Sequence, residues 1–142
     1  MMTWLLLIMA VAGAKGMERK QLFDGGWQFA LNDSTKWRAV SLPHDWSVEG
    51  VFDKSEPAGN DGAYLPTGKG WYRKTFALGK DYKDKLLRLY FEGVYMNAEV
   101  YVNGQRAGGH PYGYSSFFVD ITPYVKVRGE NVVEVRVDNS KQ

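Results

Sequence analysis

"LLRLYFEGVYMNAEVYVNGQR" (Leu86–Arg106) decides the fold class, because it alternates at a period of two twice over. In its first half Leu87, Leu89 and Phe91 interleave with Arg88, Tyr90 and Glu92; in its second, Ala98, Val100 and Val102 interleave with Asn97, Glu99 and Tyr101. Successive side chains of a strand point to opposite faces, so each run predicts a strand with one face on a core and one toward solvent. Asn103-Gly104 then predicts a hairpin, since both central residues of a type I′ turn need positive φ.

The pattern extends in both directions. "NVVEVRV" (Asn131–Val137) sets Val133, Val135 and Val137 against Glu134 and Arg136, and "RGEN" (Arg128–Asn131) is the turn that leads into it. "WQFAL" (Trp27–Leu31), "WRAVSL" (Trp37–Leu42), "WYRKTFAL" (Trp71–Leu78) and "SFFVDI" (Ser116–Ile121) read as further strands. In the last, Phe117, Val119 and Ile121 are expected in the core, while Asp120 and Thr122 cap or tie the next turn. Gly108–Gly113 reads as the connection between the hairpin and that strand. Helical periodicity is absent beyond the first residues. Roughly seven or eight short strands in one chain predict an all-β fold, a mostly antiparallel sandwich or jelly roll.

Composition agrees. The 142 residues suit one domain, and 44% hydrophobic with 15% aromatic content supplies a core. Net charge is +2 with Lys and Arg scattered, which argues against nucleic acid or an anionic membrane as partner. "WLLLIMAVAGA" (Trp4–Ala14) is an apolar run too short to cross a bilayer, which takes about 20 residues. Its small-x-small end, Ala12-Gly13-Ala14, predicts a signal peptide over residues 1–14, although no Lys or Arg precedes the run. A mature domain over 15–142, periplasmic or secreted and off the membrane after cleavage, is then expected. With no cysteine, export brings no disulfide framework.

Catalytic constellations are missing. Glycosidic chemistry needs two carboxylates about 5–10 Å apart, and nothing in the pattern marks any of the 16 acids as such a pair. The two histidines, His44 and His110, each have a proline neighbour and read as structural hydrogen-bonders. No metal-ligand spacing, nucleophile elbow or phosphate-cradling loop occurs, so no metal and no cofactor are expected. Binding fits better. "SVEGVFDKSEPAGNDGAYLPTGKG" (Ser47–Gly70) is a 24-residue loop, a length that marks function or disorder in a compact domain. Asn60, Asp61, Tyr64 and Trp71 suit sugar recognition, in which aromatic faces stack on C–H surfaces and planar polar groups hold hydroxyls. Against this, Trp71 and Tyr72 also read as the start of a core strand, and Asn60-Asp61 as a simple turn.

Taken in order, "WRAVSLPHDWSVEG", "GKGWYRKTFAL" and "LYFEGVYMNAEVYVNGQRAGGHPYGYSSFFVDITPYVKVRGENVVEVRVDN" resemble the N-terminal domain of glycoside hydrolase family 2, the β-galactosidases, β-glucuronidases and β-mannosidases. The resemblance runs from about Phe23 to Asn139. It implies a galactose-binding-like jelly roll, the sugar-binding domain, followed in such enzymes by an immunoglobulin-like domain and a (β/α)8 barrel. That barrel carries both catalytic glutamates, one of them in an Asn-Glu pair, and this sequence has no Asn-Glu dipeptide. Family members continue into a Trp-Tyr-x-Gly-x-Gly-Ile-Tyr-Arg segment that completes the jelly roll, so the chain reads as an N-terminal fragment lacking its last segment.

The expected parent is a bacterial retaining glycosidase, β-galactosidase-like, that hydrolyses terminal β-glycosides in carbohydrate metabolism, with its glutamates outside this chain. By family position the Ser47–Gly70 loop reaches the barrel mouth. That makes Asn60, Asp61 and Tyr64 the candidate substrate contacts, with His44, Asp45 and Trp46 supporting the loop. A stand-alone carbohydrate-binding module or lectin is the alternative, and a structural domain holding its neighbours together is a third.

Overall fold

The computed structural model describes residues 21–32, 35–46, 68–94, 96–113 and 115–140. The residues of the expected signal peptide lie outside these, as do Asn60, Asp61 and Tyr64.

Two ten-residue strands form the spine. Strand β3 (Lys69–Leu78) pairs with β8 (Gly129–Asp138) along its whole length, from Lys69 opposite Asp138 to Leu78 opposite Gly129. On one side of this pair lie β1 (Trp27–Leu31) and β2 (Arg38–Val40), on the other β5 (Ala98–Val102) and β6 (Gln105–His110). The resulting six-stranded sheet has the order β2-β1-β3-β8-β5-β6. Strands β4 (Arg88–Phe91) and β7 (Phe117–Asp120) make a second, two-stranded sheet. Every pairing is antiparallel. A 3₁₀ turn spans Lys80–Tyr82.

The period-two faces meet between the sheets. Val133, Val135 and Val137 of β8, Ala98, Val100 and Val102 of β5, and Phe29 and Tyr72 pack against Leu89, Phe91 and Val119 of the smaller sheet. Burial of each large side chain contributes roughly 1.5–3 kcal/mol, which makes this layer the main source of stability. The chain is an all-β sandwich of the kind its alternation predicts.

Turn chemistry pins the end away from the long loop. Asn103 and Gly104 hold φ of 51° and 79°, the hairpin that Asn-Gly predicts. Asn131 is fully buried; its Oδ1 accepts from the Lys126 N–H at 2.6 Å and from Asn103 Nδ2 at 2.9 Å. The Asn103 Oδ1 in turn accepts from the Val132 N–H at 3.0 Å. Nearby the Asp120 carboxylate accepts from the Thr122 N–H, and the Leu87 N–H donates to the Thr122 hydroxyl at 2.8 Å. Both residues tie the turn, and Ile121 between them is buried.

Several boundaries differ from the expectation: β2 and β7 are shorter than Trp37–Leu42 and Ser116–Ile121, and β8 already begins at Gly129, inside the expected turn. Gly108–His110 is not connection but the last half of β6. Gly108 faces inward against Val119, where a Cβ would lie 3.1 Å from the valine, so the glycine serves close approach of the sheets and not a turn. Phe117 is only partly buried, and stacks on His110 with ring centroids 4.5 Å apart. Strand β3 also starts earlier than Trp71, at Lys69, which puts Tyr72 in the core and Trp71 on the outer face beside Tyr101.

Candidate functional site

One end of the sandwich gathers the start of β3, the ends of β1, β6 and β8 and the start of β5. The long loop leaves and returns at this end. Its departing foot is His44–Trp46, buried in an aromatic box. The Trp46 indole lies on Phe29, rings 5.6 Å apart and 21° from parallel, and Phe29 also contacts His44 at 4.8 Å and Tyr72 at 4.9 Å. The His44 ring holds the Tyr72 hydroxyl at 2.8 Å through Nδ1 and lies 3.5 Å from the Arg38 guanidinium through Nε2. Asp45 is buried beside it. The Trp46 Nε1 is buried with no acceptor among the described residues.

The returning foot is clamped by asparagines. The Gly68 N–H donates to Asn139 Oδ1 at 2.8 Å, and the Asn139 N–H donates back to the Gly68 carbonyl at 3.0 Å. Asn32, in the left-handed region at φ 55°, accepts from the Lys69 N–H through its side chain. Gly68 has φ 148°, and a Cβ there would lie 2.3 Å from Asn32 Oδ1, so the position demands glycine. Two residues on, Gly70 passes directly beneath Trp46, which brings the two feet into contact. A segment of more than twenty residues is thus closed at a fixed root, where loops positioned by a rigid scaffold commonly carry binding groups.

Beside that root the outer face of the six-stranded sheet carries a row of polar side chains. Arg136 donates to Glu99 Oε2 at 3.0 Å, and the Tyr101 hydroxyl donates to the same oxygen at 3.2 Å. Burial and then the neighbouring Glu99 push the Tyr101 hydroxyl above its usual range. Asp138, the register partner of Lys69, feels burial as an upward push. Hydrogen bonds from the Ser140 hydroxyl and N–H, with Lys69 and Arg136, outweigh it and hold the carboxyl below the usual carboxylate range. On the same face Arg73 lies over Trp37 at 3.8 Å and donates to Gln28 at 2.7 Å.

His44, Asp45 and Trp46 therefore stand together at the loop root. Trp71 and Tyr72 point to opposite faces, while the loop contacts Asn60, Asp61 and Tyr64 fall outside the described residues. Glu99 and Arg136 went unnoticed as a pair because each reads in the sequence as a solvent-facing position; only the β8-β5 pairing makes them neighbours, with Asp138 two residues beyond Arg136 on the same strand. Among the described residues no group of three His, Asp or Glu could hold a metal ion, and no helix is long and apolar enough to cross a membrane.

Residues 20–141 match the profile of the glycosyl hydrolases family 2 sugar binding domain. The chain is 47% identical over 130 residues to the β-galactosidase BoGH2A of Bacteroides ovatus, covering 84% of this chain and 15% of that protein. It is 30% identical to a β-glucuronidase of Bacteroides fragilis, over 99% of this chain and 19% of that one. A solved β-glycosidase of Bacteroides vulgatus superposes with a TM-score of 0.76 at 42% identity, over 83% of this chain and 17% of that structure. The chain thus spans less than a fifth of the length of each of these relatives.

Proposed function

The chain belongs to glycosyl hydrolase family 2, as its sugar binding domain, and from that premise we propose that it serves as the non-catalytic N-terminal domain of a larger bacterial glycosidase. The parent reaction is retaining hydrolysis of terminal β-glycosides, galactosides foremost, in carbohydrate metabolism. What carries the reading is the match of one domain here to the sugar binding part of relatives several times longer. Retaining hydrolysis needs two carboxylates about 5–5.5 Å apart, one as nucleophile and one as acid and base. In this reading both come from a barrel beyond this chain. The domain adds the rim of the substrate site through Asn60, Asp61 and Tyr64, on a loop whose foot His44, Asp45 and Trp46 brace. Residues 1–14 act as a signal peptide, which takes the protein to the periplasm or outside the cell.

The test is hydrolysis of p-nitrophenyl β-galactoside and p-nitrophenyl β-glucuronide by the full-length polypeptide that contains this chain. Turnover of the galactoside, with KM raised in Asn60→Ala and Asp61→Ala, is the expected result. No turnover of any β-glycoside overturns the reading. A stand-alone sugar-binding module is the second reading, favoured by the polar row on the outer sheet face, and would show sugar binding without hydrolysis.

A further inference from the structure

We infer that a groove on the outer face of the six-stranded sheet, walled by Asn97, Glu99, Arg106, Arg136 and Asp138 over a floor at Gly109, is a binding site for an uncharged pyranose held through pairs of hydroxyls. The inference rests on the sugar-binding reading and adds to it a site built from side chains of the sheet itself.

The space is real and has a cause. The groove encloses about 320 Å³, at the lower end of the range for small-ligand sites. It exists because Gly109, opposite Glu99 in the register, has no side chain. A Cβ there would lie 2.7 Å from the Ala98 carbonyl oxygen and 2.9 Å from Arg106 Nη2. The glycine therefore lets the Arg106 guanidinium lie along the strand edge and leaves room above the backbone.

The chemistry of the walls selects the ligand. Two guanidinium groups face two carboxylates, so the groove has no net charge to attract an anion. Most of the groups are already held in place. Arg136 joins Glu99 at 3.0 Å and reaches Asp138 at 3.8 Å. Asp138 Oδ1 takes both Ser140 donors, and Asn97 Nδ2 donates to the Asp138 carbonyl at 3.2 Å. What is left over is Glu99 Oε1 and the guanidinium of Arg106, which makes no hydrogen bond or ion pair among the described residues, while Asp138 Oδ2 has only the long 3.8 Å contact to Arg136 and no hydrogen bond. Carboxylate oxygens accept only, and guanidinium donates only. A partner must therefore offer donors and acceptors side by side without charge, as the adjacent hydroxyls of a sugar do. Side chains fixed before binding lose little entropy on engaging it.

Calorimetric titration of the full chain with methyl β-galactoside and, separately, with glucuronate tests the site, at low and high salt. Backbone amide shifts in the nuclear magnetic resonance spectrum locate the contact. The expected result is binding of the galactoside that is insensitive to salt, with shifts at Asn97 and Gly109. Arg106→Ala should weaken it about tenfold or more while leaving the thermal unfolding midpoint unchanged. Glu99→Gln, which keeps the shape of the wall, should weaken it as well. Absence of galactoside binding overturns the proposal, as does undiminished binding by Arg106→Ala, or tighter, salt-sensitive binding of glucuronate. None of these outcomes touches hydrolysis by the full-length polypeptide, so the site can fail while the glycosidase reading stands.

Discussion

Trp46 occupies the space that a side chain at residue 70 would need: a Cβ on Gly70 would lie 2.8 Å from the Trp46 ring and 2.9 Å from that of Phe29. The loop's two feet are thus joined by the absence of one methyl group. Gly70→Ala should destabilise the domain by about 1–3 kcal/mol, the usual cost of overpacking a filled interior. In a Trp46→Ala background the same change should cost less, because one of the two clash partners is gone and the Phe29 ring can shift into the space it leaves. A double-mutant cycle by urea denaturation measures the coupling, and additive effects would show that the two feet do not touch.

The box beneath depends on a hydroxyl. Tyr72 is buried and its oxygen lies 2.8 Å from His44 Nδ1. Tyr72→Phe keeps the ring contacts with Phe29 and Trp46 but deprives a buried imidazole nitrogen of that bond. A loss of about 1–2 kcal/mol is expected in chemical denaturation. His44→Ala should cost more, since it also removes the ring packed on Phe29.

Strand faces and turns were legible in the sequence, for a physical reason. Val133, Val135 and Val137, or Ala98, Val100 and Val102, announce their burial through strict alternation, and Asn103-Gly104 announces its turn through φ. What alternation cannot carry is which strands are neighbours. Glu99 and Arg136 are an ion pair only because β5 lies beside β8, and Arg106 joins them only because Gly109 is bare. Gly108 misled for a related reason: a glycine that admits a facing sheet looks, in one dimension, like a glycine that turns the chain. The loop candidates Asn60, Asp61 and Tyr64 came from loop length and residue type together with family position, and the fold bears on them only through the root from which the loop springs.

At the opposite end Asn131 does the work of several backbone partners. It is fully buried, and its amide spans Lys126 N–H, the Lys126 carbonyl and Asn103. Asn131→Ala leaves those groups unmatched away from water, so a loss of about 2 kcal/mol or more is expected. Asn131→Asp keeps the acceptor yet faces the Lys126 carbonyl with a second oxygen, and should rescue little. Unfolding midpoints of both variants check this.

Two aspartates should respond to acid with opposite sign. Asp138 is held below the usual carboxylate range, so its folded state favours the charged form. That stability is fully present above the unfolded value near 3.8 and is lost as pH falls through the lower folded value. Asp138→Asn should therefore be less stable than the parent at neutral pH, by about 1 kcal/mol, with the gap closing in strong acid. Asp24 is pushed the other way, first by burial and then by Glu92, with Lys74 only partly offsetting them, and its Oδ1 is buried without a hydrogen bond. Its charged form is disfavoured in the fold, so the cost is absent below 3.8 and grows as pH rises toward the raised folded value. Asp24→Asn should then be at least as stable as the parent at neutral pH, and the difference should fade in acid. Urea midpoints of the three proteins across that acid range test both signs at once, and parallel curves for parent and Asp138→Asn would refute the assignment of a charged, bonded Asp138.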